Sequence, residues 1–173
     1  MTPEFSRPVR IDTLGEGGRI VAIEAEPSER AGLATRFGLL ALDHLSAEAD
    51  VRRECATVMA QGRIVAAVVQ ACVASGTAVP ASIDEPFCLR FVPAAAGGAD
   101  DIELDAEDFD TIDYEGGVID IGEAVAETLA LSLDPFPRAP DADEVLRAAG
   151  ILSEEEAVTG PFAALQALKG KIK

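Results

Sequence analysis

RIVAAVVQACV, residues 63–73, is the stretch that decides the fold. Its apolar side chains fall on both faces of an extended chain, which is the pattern of a central strand covered on two sides. Two further runs with β character flank it, VRRECATVMA (51–60) and SIDEPFCLRFV (82–92). Gln61 and Gly62 are predicted to form a hairpin turn between the first two runs. The three runs together predict an antiparallel meander.

Two helices are predicted outside this meander. A short β-like run at residues 19–25 is followed by an amphipathic helix with Ser28 as its N-cap. A second helix follows Asp120, which is placed to act as N-cap, with Glu123 three residues later completing a capping box. Both helices carry an apolar face, so both are expected to pack on the sheet.

The pattern as a whole predicts one α+β domain over residues 1–173. Its predicted architecture is an antiparallel β-barrel or sandwich of about six to seven strands, with two main packed helices and a short helical C-terminal segment. Residues 94–110 are expected to form an acidic, mobile loop. Residues 139–173 are expected to form a partly ordered C-terminal segment.

Charge limits the kind of partner. The 173 residues include 14 Lys and Arg against 31 Asp and Glu, a net charge of −17. Proteins that grip RNA or DNA do so mainly by neutralising phosphates with basic side chains. The charge balance therefore argues against strong direct RNA binding and favours a basic protein as partner.

Sequence features also bear on location and redox state. No apolar run is long enough to span a bilayer, and the N-terminal residues lack a secretory signal, so a cytoplasmic protein without a membrane partner is expected. The cysteines Cys55, Cys72 and Cys88 are odd in number and widely spaced. They are expected to be reduced and to act as small buried residues.

Catalytic motifs are weak. His44 is the single histidine, so neither a nucleophilic triad nor a zinc site has support, and no enzyme activity, metal or cofactor is expected. The acidic run GGADDIELDAEDFDTIDYE (97–115) carries nine carboxylates but does not fit the spacing of a calcium-binding EF-hand loop. A metal-dependent hydrolase that uses carboxylates of this run remains the alternative.

A set of segments in fixed order resembles a known family. The segments are GRIVAAVVQACVASGTAVPASIDEPFCLRFVP (62–93), GVIDIGEAVAETLALSLDPFPRAP (117–140) and GPFAALQALK (160–169). The opening EFSRPVRID (4–12) and ERAGLATRFGL (29–39) also resemble a bacterial branch of it. Together they look like signatures of the YceD family, the large ribosomal RNA subunit accumulation proteins.

The resemblance implies a noncatalytic factor in bacterial large-subunit ribosome biogenesis, which supports accumulation or processing of the large ribosomal RNA. With the charge balance, it implies binding to a basic ribosomal protein or a maturation factor. Many members carry a C-x-x-C pair where this chain has Cys72, Val73, Ala74 and Ser75. One cysteine with a serine cannot form such a zinc site.

Six residues are the candidates for partner binding. Proline-flanked aromatic residues and an arginine in connecting segments have few structural reasons to be there, and the acidic run offers carboxylates to a basic partner. The candidates are Phe136, Arg138, Pro161, Phe162, Asp105 and Asp108. For those near the C-terminus, packing of that segment on the sheet is the alternative explanation.

Overall fold

The structure is a computed structural model and describes residues 3–15, 17–94 and 110–151. Most of the elements in the described residues are strands, and five of them follow one another between the first two α-helices. In order they are β1 (Pro8–Arg10), a 3-10 turn (Ile11–Thr13), β2 (Arg19–Glu24), α1 (Pro27–Phe37), β3 (Ala41–Glu54), β4 (Thr57–Ala71), β5 (Ala78–Pro93), β6 (Asp110–Tyr114), β7 (Val118–Asp120), α2 (Ile121–Ser132) and α3 (Ala142–Ala148).

Contacts between residues group the chain into two compact units. The first unit consists of Met1–Gln70 and Pro80–Pro135, and the second of Ala71–Val79 and Phe136–Lys173. Most of the loop predicted at 94–110 lies outside the described residues, as does most of the C-terminal segment predicted at 139–173.

The first unit is built on two sheets. Five strands form the larger one in the order β2-β3-β4-β5-β6, and β1 pairs with β7 in a small second sheet. Strands β2, β3 and β4 pair antiparallel, whereas β6 lies parallel to β5. Strand β7 leads directly into α2, so the small sheet fixes where that helix begins.

The prediction of an antiparallel barrel is wrong in two respects, whereas a sandwich of about six strands is roughly consistent with the two sheets. Within the described residues both sheets are open, because β2 and β6 end the larger sheet without pairing with each other. The sheet is also not wholly antiparallel, since β5 and β6 run in the same direction. Closing a barrel requires its first and last strands to pair along their length, and here both are short, with six residues in β2 and five in β6.

One face of the larger sheet forms the core of the first unit. Alternate residues of the central strands point into it, and helix α1 contributes Leu33, which is fully buried. Helix α2 buries Val125 and Leu129 in the same cluster. The core residues of the strands include Leu45, Ala47, Ala49, Val51, Val58, Ala60, Ile64, Ala66, Val68, Ile83, Phe87, Leu89 and Phe91.

The turn between β3 and β4 is not where the sequence places it. Strand β4 runs unbroken through Gln61 and Gly62, and the chain reverses at Cys55 and Ala56. Cys55 adopts a left-handed conformation, with φ of 58°. Gly62 instead marks a close approach of two backbones, because a Cβ atom there would lie 2.1 Å from the carbonyl oxygen of Glu48.

Helix α1 has a different N-cap from the one predicted. Its N-cap is Glu26 rather than Ser28, and Pro27 occupies the first turn, where its missing N–H costs nothing. Glu29 completes a capping box by accepting a hydrogen bond from the Glu26 backbone N–H at 2.8 Å. The helix ends at Gly38, whose φ of 65° is the left-handed conformation that glycine tolerates.

Asp120 is the N-cap of α2, as predicted. Its side chain accepts a hydrogen bond from the Glu123 backbone N–H at 3.2 Å. The same carboxylate accepts from the Arg7 backbone N–H at 2.7 Å and from the Ser6 hydroxyl. The side chain of Glu123 accepts hydrogen bonds from Arg36 at the end of α1, so the predicted role of that side chain in a capping box is wrong.

The three cysteines differ in environment. Cys72 is buried and Cys88 is half-buried, whereas Cys55 is exposed, so the prediction that all three are small buried residues is wrong for Cys55. The turn requires a left-handed residue at that position, which leaves the side chain in solvent. All three are free thiols in the structure. In the described ranges, no helix has the length and apolar character needed to cross a bilayer.

Candidate interaction surfaces

Two of the six candidates for partner binding lie in the described residues. Phe136 is 72% exposed, and Arg138 donates a hydrogen bond to the Asp143 carboxylate at 2.7 Å. Both belong to the second unit. The other four lie outside the described residues, and their role stays a prediction: Pro161, Phe162, Asp105 and Asp108.

The segment around Phe136 is held to the turn after β4 within the second unit. The Val73 backbone N–H donates to the Pro137 carbonyl at 2.9 Å, and the Ala139 backbone N–H donates to the Cys72 sulfur at 3.3 Å. Cys72 is buried against Ala139 and Ala142. Val73 is 58% exposed, so the two segments joined by these hydrogen bonds present Val73 and Phe136 to solvent.

The thiol of Cys72 is electrostatically unusual. A hydrogen bond from the Ala139 backbone N–H, followed by one from the Ser75 hydroxyl, lowers the pKa of Cys72 to about 7 against an opposing effect of burial. Ser75 stands where a second metal-binding cysteine would stand in a C-x-x-C pair. Here it donates a hydrogen bond to the sulfur and serves to stabilise a thiolate.

This pKa predicts how stability depends on pH. The thiol has an ordinary pKa of 9.0 and a folded pKa of about 7, so between these values the unfolded chain binds more protons than the folded one. The contribution of Cys72 to the free energy of unfolding is present above pH 9, falls as the pH falls through 7, and is absent in acid. The free energy of unfolding of the native protein minus that of Cys72→Ser should therefore be larger at pH about 9 than at pH about 6.

Urea denaturation at the two pH values measures this difference. Cys88→Ser is the matched control, because it makes the same chemical change in a half-buried thiol. The difference in free energy of unfolding between the native protein and Cys88→Ser should vary less with pH. Ultraviolet absorbance of the thiolate in a Cys55→Ser/Cys88→Ser variant gives the midpoint directly. If the free energy of unfolding of the native protein minus that of Cys72→Ser stays constant or decreases as the pH rises, the assignment of a lowered pKa to Cys72 is contradicted.

A second surface lies on the larger sheet of the first unit. We use the name outer face for the side chains of β2, β3 and β4 that alternate with the buried ones. On β3 these include Ser46, Glu48 and Asp50, which alternate with the core residues Ala47 and Ala49. The outer face of β3 is therefore polar and acidic, while its inner face is apolar.

Strand register places these side chains in rows across the sheet. Glu48 lies between Ala22 of β2 and Arg63 of β4. The neighbouring row consists of Glu24, Ser46 and Val65, and the row on the other side of Glu48 consists of Ile20, Asp50 and Gln61. A groove of about 560 Å³ follows the first two rows.

The charges on the outer face are not balanced. Arg63, although opposite Glu48 in the register, binds Asp84, and the hydrogen bond lowers the pKa of Asp84. Arg52 binds Asp50. Glu48 has no ion-pair partner among the residues that the structure describes, and Glu24 has only His44 at 3.9 Å. The groove therefore carries uncompensated negative charge.

Sequence reasoning missed this surface, although a signal for it was present. In ALDHLSAEADVRRE (41–54), apolar residues alternate with polar ones from Leu45 to Arg52, which is the pattern of a half-buried strand. His44, the single histidine of the sequence, is half-buried in β3 and shares a hydrogen bond of 2.9 Å with the Ser46 hydroxyl.

The structure offers no test of the metal-dependent alternative. Among residues 3–15, 17–94 and 110–151 there is no grouping of three His, Cys, Asp or Glu side chains that could hold a metal ion. Most of the acidic run at 97–115 lies outside these ranges, so a hydrolase site there stays a prediction.

Fold and surfaces together define a mainly β protein with helices packed on an open sheet and with an acidic outer face. The family model of the large ribosomal RNA subunit accumulation protein YceD matches residues 60–169, which is more than half of the chain. The chain therefore belongs to the YceD family, as its sequence signatures predicted. No curated protein and no solved structure matches it.

Proposed function

We propose that this protein is a noncatalytic factor that supports accumulation or processing of the large ribosomal RNA in bacteria, and that it acts by binding a basic ribosomal protein or a maturation factor. The observation that carries the proposal is membership of the YceD family, whose description names large ribosomal RNA accumulation. That description names no reaction, and the proposal accordingly assigns none.

The charge of the chain supports a protein partner over bare RNA. A net charge of −17 repels phosphate at long range and attracts basic proteins. Ribosomal assembly requires basic proteins to be kept from nonspecific contact with RNA until they dock. An acidic partner that screens their charge reduces such contact, because the contact is driven by phosphate neutralisation.

Two measurements test the proposal. In cells that lack the protein, the ratio of large-subunit to small-subunit ribosomal RNA should fall, and expression of the protein should restore it. Purified tagged protein should retain a ribosomal protein or maturation factor at ~0.15 M salt and lose it at ~1 M, where charges are screened within about 3 Å. Retention of RNA without any bridging protein at ~0.15 M salt contradicts the mechanism.

A further inference from the structure

We propose that the outer face of β2, β3 and β4 is the docking site for an extended basic segment of a protein partner, with Lys or Arg at alternate positions. The inference deepens the proposed function, on which it rests, by naming the surface that meets the partner. It is carried by three observations on the described residues: an exposed sheet groove with apolar side chains, uncompensated carboxylates around it, and their spacing.

The outer face provides apolar contact both in the groove, at Val65 and Ala22, and in the row beside it, at Ile20. Ile20 is 62% exposed and Val65 is 39% exposed, and Ala22 lies in the row next to each of them. Strands usually turn polar side chains to solvent, so large apolar residues on this face are available for a partner. The methylene stems of Lys and Arg pack on such residues while their charged ends reach neighbouring carboxylates.

The negative charge of the groove favours a cationic side chain as its occupant. Glu24 and Glu48 line the groove, and the arginine in it is already bound to Asp84. A cationic side chain that enters the groove therefore finds Glu48, which has no ion-pair partner among the described residues, and Glu24, whose only such partner there is His44 at 3.9 Å. A nucleic acid would bring phosphates against these same carboxylates, so the face disfavours RNA.

Spacing favours an extended segment. Glu48 and Asp50 are alternate residues of one strand, so their side chains emerge about 7 Å apart. Glu24 lies diagonally across from Glu48, at about 7–8 Å. Alternate residues of an extended partner repeat at the same distance of about 7 Å. Because Asp50 also binds Arg52, the strongest contacts fall on Glu24 and Glu48.

A synthetic peptide measures docking directly. The probe is acetyl-Ala-Lys-Val-Lys-Val-Lys-Ala-amide, and a peptide of the same composition with its three lysines adjacent is the control for spacing. Backbone NMR of the full chain should show shifts on β2, β3 and β4 with the alternating peptide, and weaker binding of the control peptide. Glu24→Gln/Glu48→Gln should weaken binding of the alternating peptide about fivefold at low salt.

Glu127→Gln/Glu144→Gln is the matched variant, because it removes two exposed carboxylates elsewhere and changes the net charge equally. Affinity should stay nearly unchanged in it. An equal loss in both variants would mean that only net charge matters and overturns the proposal, as does unchanged affinity in Glu24→Gln/Glu48→Gln. Preferential binding of a single-stranded RNA oligonucleotide to this face overturns it as well.

The peptide titration and the cellular test fail independently. If Glu24→Gln/Glu48→Gln binds the peptide as the native protein does while the ribosomal RNA ratio still depends on the protein, the outer face is overturned and the proposed function stands. If the variant weakens peptide binding but the ribosomal RNA ratio never changes, the surface is supported and the proposed function is overturned.

Discussion

Gly62→Ala should lower the free energy of unfolding by roughly 3 kcal/mol, the upper range for forcing an extra group into a packed interior. The added Cβ would lie 2.1 Å from the Glu48 carbonyl oxygen and 2.8 Å from the Ala49 Cα. Both contacts are with backbone, which cannot rotate away as a side chain can. Strands β3 and β4 would have to separate locally, near the middle of their antiparallel pairing. Thermal unfolding should show a Tm lower by about 10 °C.

Gly17→Ala is the matched control for this substitution. A Cβ at Gly17 meets nothing within 4 Å, so the same chemical change should alter stability by less than about 0.5 kcal/mol. If the two variants unfold at the same temperature, the close approach at Gly62 does not constrain the sheet, and the register of β3 on β4 is wrong.

Asp120→Ala should cost about 2–3 kcal/mol, because one carboxylate accepts three hydrogen bonds there. It caps α2 through the Glu123 backbone N–H, and it binds the backbone of Arg7 and the hydroxyl of Ser6. Alanine leaves all three donors without this acceptor. The residue therefore joins the N-terminal segment to α2, and its loss should loosen both.

Asp120→Asn separates the hydrogen bonds from the charge. Asparagine keeps one side-chain oxygen for the backbone N–H groups of Arg7 and Glu123, so it should cost roughly 1 kcal/mol, less than alanine. Urea denaturation gives both values, with an unchanged m-value as evidence that the unfolded state is the same. Asp113→Ala, an exposed carboxylate on β6, should be nearly neutral. Asp120→Ala behaving like Asp113→Ala would show that this hydrogen-bond network contributes little to the free energy of unfolding.

Local signals in the sequence predicted the parts of the fold that depend on nearby residues. The stretch at 63–73 predicts a strand because its apolar residues are continuous, and most of it lies in β4. The prediction that both faces are covered is wrong, because Val65 on the outer face is 39% exposed. Asp120 reads as an N-cap because a short acceptor precedes an apolar helical face, and it caps α2. Strand formation and capping are decided within a few residues of chain, which is why these two predictions succeed.

Features that depend on distant pairing were not predictable in the same way. Cys55 occupies a left-handed position that Asn or Gly usually fills, so the sequence carries no recognisable signal for the turn between β3 and β4. Gln61 and Gly62 carry the stronger turn signal, which explains why the sequence predicts the turn there. The parallel pairing of β6 with β5 joins residues 89–93 with 110–114, and no local pattern encodes it. Because that pairing is not visible in the sequence, the sequence alone does not decide whether the sheet closes into a barrel.

The candidate surfaces also differ in whether they depend on local sequence or on distant pairing. Phe136 and Arg138 were identifiable because they stand in a connecting segment rich in proline, and the structure places Phe136 in solvent. The alternation in β3 was a signal for its exposed polar face, but the groove was not identifiable, because Glu24 and Glu48 come from different strands and are brought together only by the register. Glu24 and Glu48 are distant in sequence and neighbours in the sheet. The net charge of −17 favours a basic partner, which stays a prediction, and it does not indicate a surface.

The turn at Cys55 and Ala56 also bears on the order in which the sheet assembles. Strands β3 and β4 can join pair by pair outward from this turn, and each new pair closes only a short additional loop. Strand β6 can join β5 only after the chain between Pro93 and Asp110 has been closed into a loop, at a larger cost in chain entropy. The β3–β4 hairpin is therefore the first step in folding with the lowest cost in chain entropy, and the parallel pairing of β6 with β5 is a late step.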